Sequence, residues 1–438
     1  MSTQPLYGNI PRNNGLTTPV LRGFGLLLIA GLYLLQFASD GEPGKFTGIL
    51  LVLWLPFLYL APSHDWRRSE KVFVGLCGFY FLSTLPAYGI SIDVNKANGE
   101  LEKLAKWAVL PAVLFFILRR LQIRDQVFSA MVMVGVSFLF AATIYSVIDD
   151  PNNRITVYGN PNIAGYLAAG GIALLAGLYP SIKYKLVVIT VILMAVFALL
   201  WSQTRGAWLT LPIIALCVSR PLWHQFQALS LRTRSITAVC LIALIVGLAF
   251  IPFIQQRILL TVTNISTYID SPEQFGRSSL GVRLELFRAG WLMALNYPLT
   301  GIGLGDVKYY IVEYDRFMHI IPEISYSFSM HSEYFQALAF RGFVNLASFL
   351  IMLTWLTGYY LRSLPNDSAA VTSYRTAGLA VTLSTAVVCL TLSMLSNNTG
   401  INFFIFSQAL LIFMIERQRA SISSSCYAHS KNLYRQPA

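Results

Sequence analysis

Residues Ser329–Leu361 read SMHSEYFQALAFRGFVNLASFLIMLTWLTGYYL. From Phe343 onward the stretch runs nineteen residues without a charge. About 20 mostly apolar residues are what an α-helix needs to cross the hydrocarbon layer of a bilayer. The first half sets His331, Glu333 and Arg341 at the head of that run. Ionisable groups at a membrane edge are costly to place and are therefore candidates for function. The stretch predicts a membrane-spanning helix and raises the question of what a histidine does at its mouth.

Working outward, the rest of the chain is equally apolar. Of 438 residues, 55% are hydrophobic and only 12% are charged, with a mean hydropathy of +0.59. A soluble domain carries roughly 25% charged residues. Twelve stretches are candidates on the measure of spanning length, the eighth of them short: 20–39, 46–62, 71–90, 104–121, 126–148, 162–180, 184–202, 206–220, 235–254, 331–361, 374–395 and 399–415. A closed barrel would instead show ten-residue segments of alternating polarity. The fold class expected is an all-α polytopic membrane protein of about 12 transmembrane helices.

Lys and Arg set the orientation, because cytoplasmic loops carry an excess of them. With the N-terminus in the cytoplasm, nineteen of the 32 Lys and Arg residues fall on cytoplasmic segments and six on short outer loops. Six more lie in the one long loop, 255–330, and Arg341 lies inside a helix. Both termini are then cytoplasmic. The formal charge of +12 is mostly this bias, so nucleic acid is not an expected partner. The organisation that follows is helices 1–9 over 1–254, an outer loop over 255–330, helices 10–12 over 331–415, and a cytoplasmic tail over 416–438. Within the loop, 283–295 has the spacing of an amphipathic helix, with Leu284, Phe287, Trp291 and Leu295 on one stripe.

Four polar interruptions fall on the outer side: Arg154 with VYGNPN, Arg205 in SQTRGAWL, Arg283 and Arg288 in the long loop, and His331. The guanidinium fork matches phosphate oxygens and never loses its charge. A histidine can take up a proton near neutral pH. Together they fit attack by a hydroxyl on a carbon that bears a lipid pyrophosphate. His331 would act as base, and Arg205, Arg283, Arg288 and Arg154 would bind the phosphates. Glu333, Glu285, Asp306 and Asp315 could orient the histidine or serve as a second base, although a structural role is expected for most of them. YGNPN reads as a turn that opens a helix, and GIGLGD as a tight turn. The five cysteines, Cys77, Cys217, Cys240, Cys389 and Cys426, show neither metal-ligand spacing nor a disulfide framework. No P-loop is present.

The order of these segments resembles the superfamily of O-antigen ligases and O-antigen polymerases. TRGAWL fits Arg-x-x-x-Leu with Arg205 and Leu209, and HSEYFQALAFRG fits His-[Asn/Ser/Gln]-x9-Gly with His331, Ser332 and Gly342. GVRLELFRAGWLMALNYPLTGIGLGD is similar to the intervening stretch of that family. Ser332 stands where the family often has Asn. The resemblance is nearest to the lipopolysaccharide O-antigen ligases. It implies a GT-C-like, inverting glycosyltransferase of the bacterial inner membrane that needs no metal, nucleotide or other cofactor. The implied donor is an O-antigen on undecaprenyl pyrophosphate, the acceptor is lipid A-core, and the active site faces the periplasm. The same motifs leave O-antigen polymerase and protein O-oligosaccharyltransferase open. A lipid-linked glycan transporter is the alternative of another class, disfavoured because helix centres are nearly uncharged.

Overall fold

The computed structural model describes residues 17–37, 42–54, 66–121, 123–150, 160–228, 279–307, 309–310 and 329–433, with short pieces between 230 and 266. Among these residues the chain is all-helical, without strands. In order the helices are α1 (Thr17–Leu35), α2 (Glu42–Leu53), α3 (Arg68–Leu82), α4 (Leu85–Gly89), α5 (Val94–Leu121), α6 (Asp125–Asp149) and α7 (Pro161–Leu178). They continue as α8 (Lys185–Trp201), α9 (Arg205–Trp208), α10 (Thr210–Ala228), α11 (Ser279–Asn296), α12 (Glu333–Leu361), α13 (Ala369–Val388) and α14 (Asn398–Leu433). Among the described residues, five helical stretches are long and apolar enough to cross a membrane: Arg68–Gly89, Asp125–Asp149, Pro161–Ser181, Glu333–Leu361 and Asn398–Ser421. Shorter apolar helices cover Pro19–Leu35, Lys185–Trp201 and Arg205–Ser219. The expectation of a helical membrane protein is therefore met. Most of the span expected at 235–254, and the second half of that at 46–62, lie outside the described residues.

The core is the interior of this bundle. The segment Pro161–Ser181 is largely buried and Asn398–Ser421 almost completely so. α7 packs most extensively on α13. Several boundaries differ from the sequence reading, among them the break of the 71–90 span at Ser83–Thr84 and the extension of α10 to Ala228. α5 begins ten residues before the apolar run at 104, because NKANGELEK makes three charged helical turns ahead of it. α13 ends at Val388, short of the expected 395, and Cys389–Asn397 forms a loop. α14 continues unbroken to Leu433.

The two ends of the bundle differ in charge. At one end Arg119 pairs with Glu70 at 2.6 Å, Arg417 with Asp125 at 2.7 Å, and Arg375 and Arg419 both hold Asp367. The opposite end carries the start of α12, the end of α8 and the loop after α13.

α12 is broken at Gly342, where φ is +79° and ψ 178°. That combination is essentially closed to residues with a Cβ. The break frees backbone groups that must find partners elsewhere. The loop after α11 supplies them: Ile302 N–H donates to Ala339 O at 2.9 Å, Gly303 N–H to Phe340 O, and Phe343 N–H donates to Pro298 O at 2.8 Å. The same loop is fastened to the turn before α5. Asp306 is fully buried and accepts from Ile92 N–H at 2.7 Å and Asp93 N–H at 3.0 Å. Ser91 Oγ accepts from Leu304 N–H. GIGLGD is thus a turn whose backbone completes a helix.

Candidate functional site

The site is assembled from three loops and one helix. The loop between α8 and α9 leads into Arg205, the first residue of α9. Ser202 Oγ donates to Leu199 O at 2.7 Å and accepts from Thr204 N–H. Thr204 Oγ1 bridges to Pro161 O and Asn162 Oδ1 at the start of α7. That start is built as YGNPN predicts: Asn160 caps the helix, accepting from Asn162 N–H at 3.0 Å, with Pro161 in the first turn. Close approach of α7 needs Gly165, where a Cβ would sit 2.8 Å from Ser202 Oγ and from Thr204 Cβ. Gly206 admits the loop after α13, since a Cβ there would strike Thr391 Oγ1.

His331 sits in a turn two residues ahead of α12. Its φ is +49°, and with Gln203 (φ +53°) it is one of two residues other than glycine with positive φ among the described residues. Such conformations are sparsely populated and persist where surroundings impose them. Here the imposition is visible. Gln336 Oε1 accepts from Met330 N–H at 3.0 Å, from Ser329 Oγ at 3.3 Å and from Ser393 Oγ at 3.1 Å. Ser329 Oγ in turn accepts from His331 N–H. On the other side Ser332 Oγ and Glu333 N–H both donate to Cys389 O, at 3.1 and 2.9 Å. The histidine is held between α12 and the loop after α13.

α11 brings the second arginine. Its protein-facing stripe is Leu286, Ala289 and Met293, packed against Met330, Ala339 and Phe340. The stripe expected from the sequence is the outer one. Phe287 is half-buried and stacks on Phe335 at 4.5 Å, while Trp291 and Leu295 are exposed. Phe287 and Trp291 lie along the edge of the α11–α12 contact, Trp291 meeting the Phe343 ring edge-on at 6.4 Å.

Arg205, Arg283 and His331 come together electrostatically. Burial lowers the pKa of Arg283, and the nearby Arg205 guanidinium lowers it further. Burial likewise lowers that of His331, and Arg283 adds to it. A guanidinium remains charged through such a shift, whereas a histidine below its ordinary value near 6.5 is neutral at physiological pH. Both guanidinium groups keep their charge, so an anion held there would meet two positive charges. Arg288 is exposed, on a different face of α11 from Arg283. Arg154 and Asp315 lie outside the described residues.

The carboxylates have other attachments. Glu333 Oε1 accepts from Arg341 Nη2 at 3.0 Å, Ser396 Oγ at 2.8 Å and Tyr80 OH at 3.3 Å. Arg341 also lies over the Tyr80 ring. This fully enclosed group ties α3, α12 and the loop before α14 together, which is a structural role. Asp306 holds backbone, as described. Glu285 is nine-tenths buried, with its Oε2 unpartnered among the described residues. No group of three or more His, Cys, Asp or Glu residues suited to a metal occurs among the described residues. Sequence reasoning missed Gln336, Ser393 and Gln203. The run TLSMLSNN, with its serines and asparagines inside an apolar stretch, was the available signal for the loop.

The fold and the site define a helical membrane protein with a cationic, histidine-bearing centre at one end of its bundle. Residues 189–350 match the family described as O-antigen ligase. The match contains Arg205, Arg283, Arg288, His331 and Gly342. Members of the family are glycosyltransferase-like enzymes. An uncharacterized protein of Haemophilus influenzae (strain ATCC 51907 / DSM 11121 / KW20 / Rd) is 22% identical over 410 residues, 90% of this chain and 98% of that protein.

Proposed function

We propose that this chain is an O-antigen ligase of the bacterial inner membrane. It moves an O-antigen glycan from undecaprenyl pyrophosphate to lipid A-core on the periplasmic face. The observation that carries this reading is the grouping of Arg205, Arg283 and a neutral His331. The acceptor hydroxyl attacks the anomeric carbon from the side opposite the pyrophosphate. His331 takes the hydroxyl proton, the new C–O bond forms, and the old bond to phosphate oxygen breaks with inversion. Arg205 and Arg283 hold the departing charge, the task a divalent cation performs elsewhere. Arg154 and Arg288 are assigned weaker, outer contacts to the donor, Arg288 from a face of α11 other than that of Arg283.

The basic end of the bundle, with Arg119, Arg375, Arg417 and Arg419, fits a cytoplasmic position, which leaves the His331 end periplasmic. On this reading the chain has twelve spans, cytoplasmic termini and a GT-C-like architecture, with Trp291 and Leu295 facing lipid. Deleting the gene and running lipopolysaccharide on a gel tests it. Bare lipid A-core with accumulated lipid-linked polymer is expected. Core bearing a single repeat would make the protein a polymerase, and unchanged lipopolysaccharide would remove both readings.

A further inference from the structure

A cavity of about 340 Å³ lies between the first half of α5, the loop after α11 and the start of α12. Neither Arg205, Arg283 nor His331 lines it. It lies within the roughly 300–1,000 Å³ usual for small-molecule sites, at the lower end. Its walls are of two kinds. Lys103 and Glu100, one helical turn apart, face Gln336, Arg341 and Ser396, so donors and acceptors meet across the space. Leu304 and Phe340 supply an apolar surface. Arg341 is almost wholly buried, and its Nε has no hydrogen-bond partner among the described residues. A buried donor left unsatisfied is costly and calls for a ligand or water.

Mixed hydroxyl-binding groups around one apolar face match a pyranose, which has hydroxyls at its edge and C–H groups on its face. The cations are balanced by carboxylates, Lys103 by Glu100 at 2.7 Å and Arg341 by Glu333 at 3.0 Å. The wall therefore suits a polyhydroxylated ligand better than a highly charged one. Gln336 lines the cavity and also fixes the turn that carries His331. A sugar seated here lies against the back of that turn, apart from the arginines that take the pyrophosphate.

We propose that this cavity is a sugar subsite for the acceptor glycan, using Glu100, Lys103, Gln336 and Arg341 for its hydroxyls and Phe340 for its apolar face. The assignment to an acceptor rests on the transferase reading above; the assignment of a sugar rests on the cavity alone.

Gly99 provides the test. It lines the cavity, and a Cβ built on it would meet nothing within 4 Å. Gly99→Trp therefore adds bulk at the cavity wall with room for its Cβ. The Lys103–Glu100 pair is more than a third and nearly a third exposed, so Glu100→Gln with Lys103→Ala leaves the core intact. In proteoliposomes with lipid-linked donor, both variants should raise KM for the acceptor about tenfold or more. The donor KM and kcat should stay within about threefold. An unchanged acceptor KM, or an equal rise in donor KM, would overturn the proposal. A second arm measures equilibrium binding of delipidated core oligosaccharide to the full chain in detergent. Binding that both variants weaken supports the subsite even if no transfer is found, in which case the ligase reading fails by itself. No binding, or binding that the variants leave unchanged, overturns the subsite.

Discussion

Gly342→Ala tests the connection between the break in α12 and the loop that completes it. The native φ of +79° with ψ 178° lies in a region that costs a residue with a Cβ about 1–3 kcal/mol. The Cβ would strike the Leu299 carbonyl oxygen and sit 2.8 Å from Pro298 O. Both obstacles are backbone, so neither can rotate away. If the loop yields, the bonds from Ile302, Gly303 and Phe343 loosen, at about 1 kcal/mol each net. The total is about 4–6 kcal/mol. Because Asp306 and Leu304 fasten the same loop to the turn before α5, the damage should spread to the cavity wall at Leu304 and Gly305. Thermal unfolding of the detergent-purified variant should show a clear fall in Tm, and limited proteolysis should cut within 297–306. A melting curve superimposable on wild type, with normal transfer, would refute the account of the break.

The remaining expectations concern the chemistry. His331 titrates below its ordinary value, so it is unprotonated and competent above that point and loses its lone pair as pH falls through it. kcat/KM should therefore decline on an acidic limb with an apparent pKa below about 6.5, and a limb at or above 7 for the free enzyme would contradict the burial and Arg283 effects. Arg283→Lys keeps charge but loses the fork and should reduce transfer strongly, while Arg288→Ala, at an exposed position, should reduce it less at matched protein levels; an equal loss at Arg288 would reverse their roles. EDTA should leave initial rates unchanged, since guanidinium groups take the leaving charge, and inhibition relieved by one specific divalent ion would show otherwise.

Much of the fold could be read from apolar run length because the bilayer imposes that length on a helix. The heads of α7 and α12, with Asn160 and His331, were visible because polar residues are conspicuous against hydrocarbon. Arg205, Arg283 and His331 could be named from type and sidedness, and the structure places Arg283 within electrostatic reach of both Arg205 and His331. The facing of α11 was not legible. In water a large apolar side chain marks the buried face, but lipid accepts such a face equally, so Trp291 and Leu295 gave no sign of pointing away from the protein. Cys389–Asn397 was hidden for a related reason. Its sequence is apolar enough to extend a span, yet its carbonyl at Cys389 is satisfied by Ser332 and Glu333, and backbone buried in protein need not be helical. Gln336 looked like an ordinary polar residue of a helix, and only the turn folded over it reveals three donors on one oxygen.

The central claim is that His331 removes the acceptor proton beside two phosphate-binding arginines. His331→Ala in proteoliposomes, with lipid-linked O-antigen donor and lipid A-core acceptor, tests it most directly. A fall of about 10²–10⁴-fold in kcat is expected, with donor binding retained and the acidic limb of the pH profile gone. Transfer within a fewfold of wild type, with that limb still present, would contradict it.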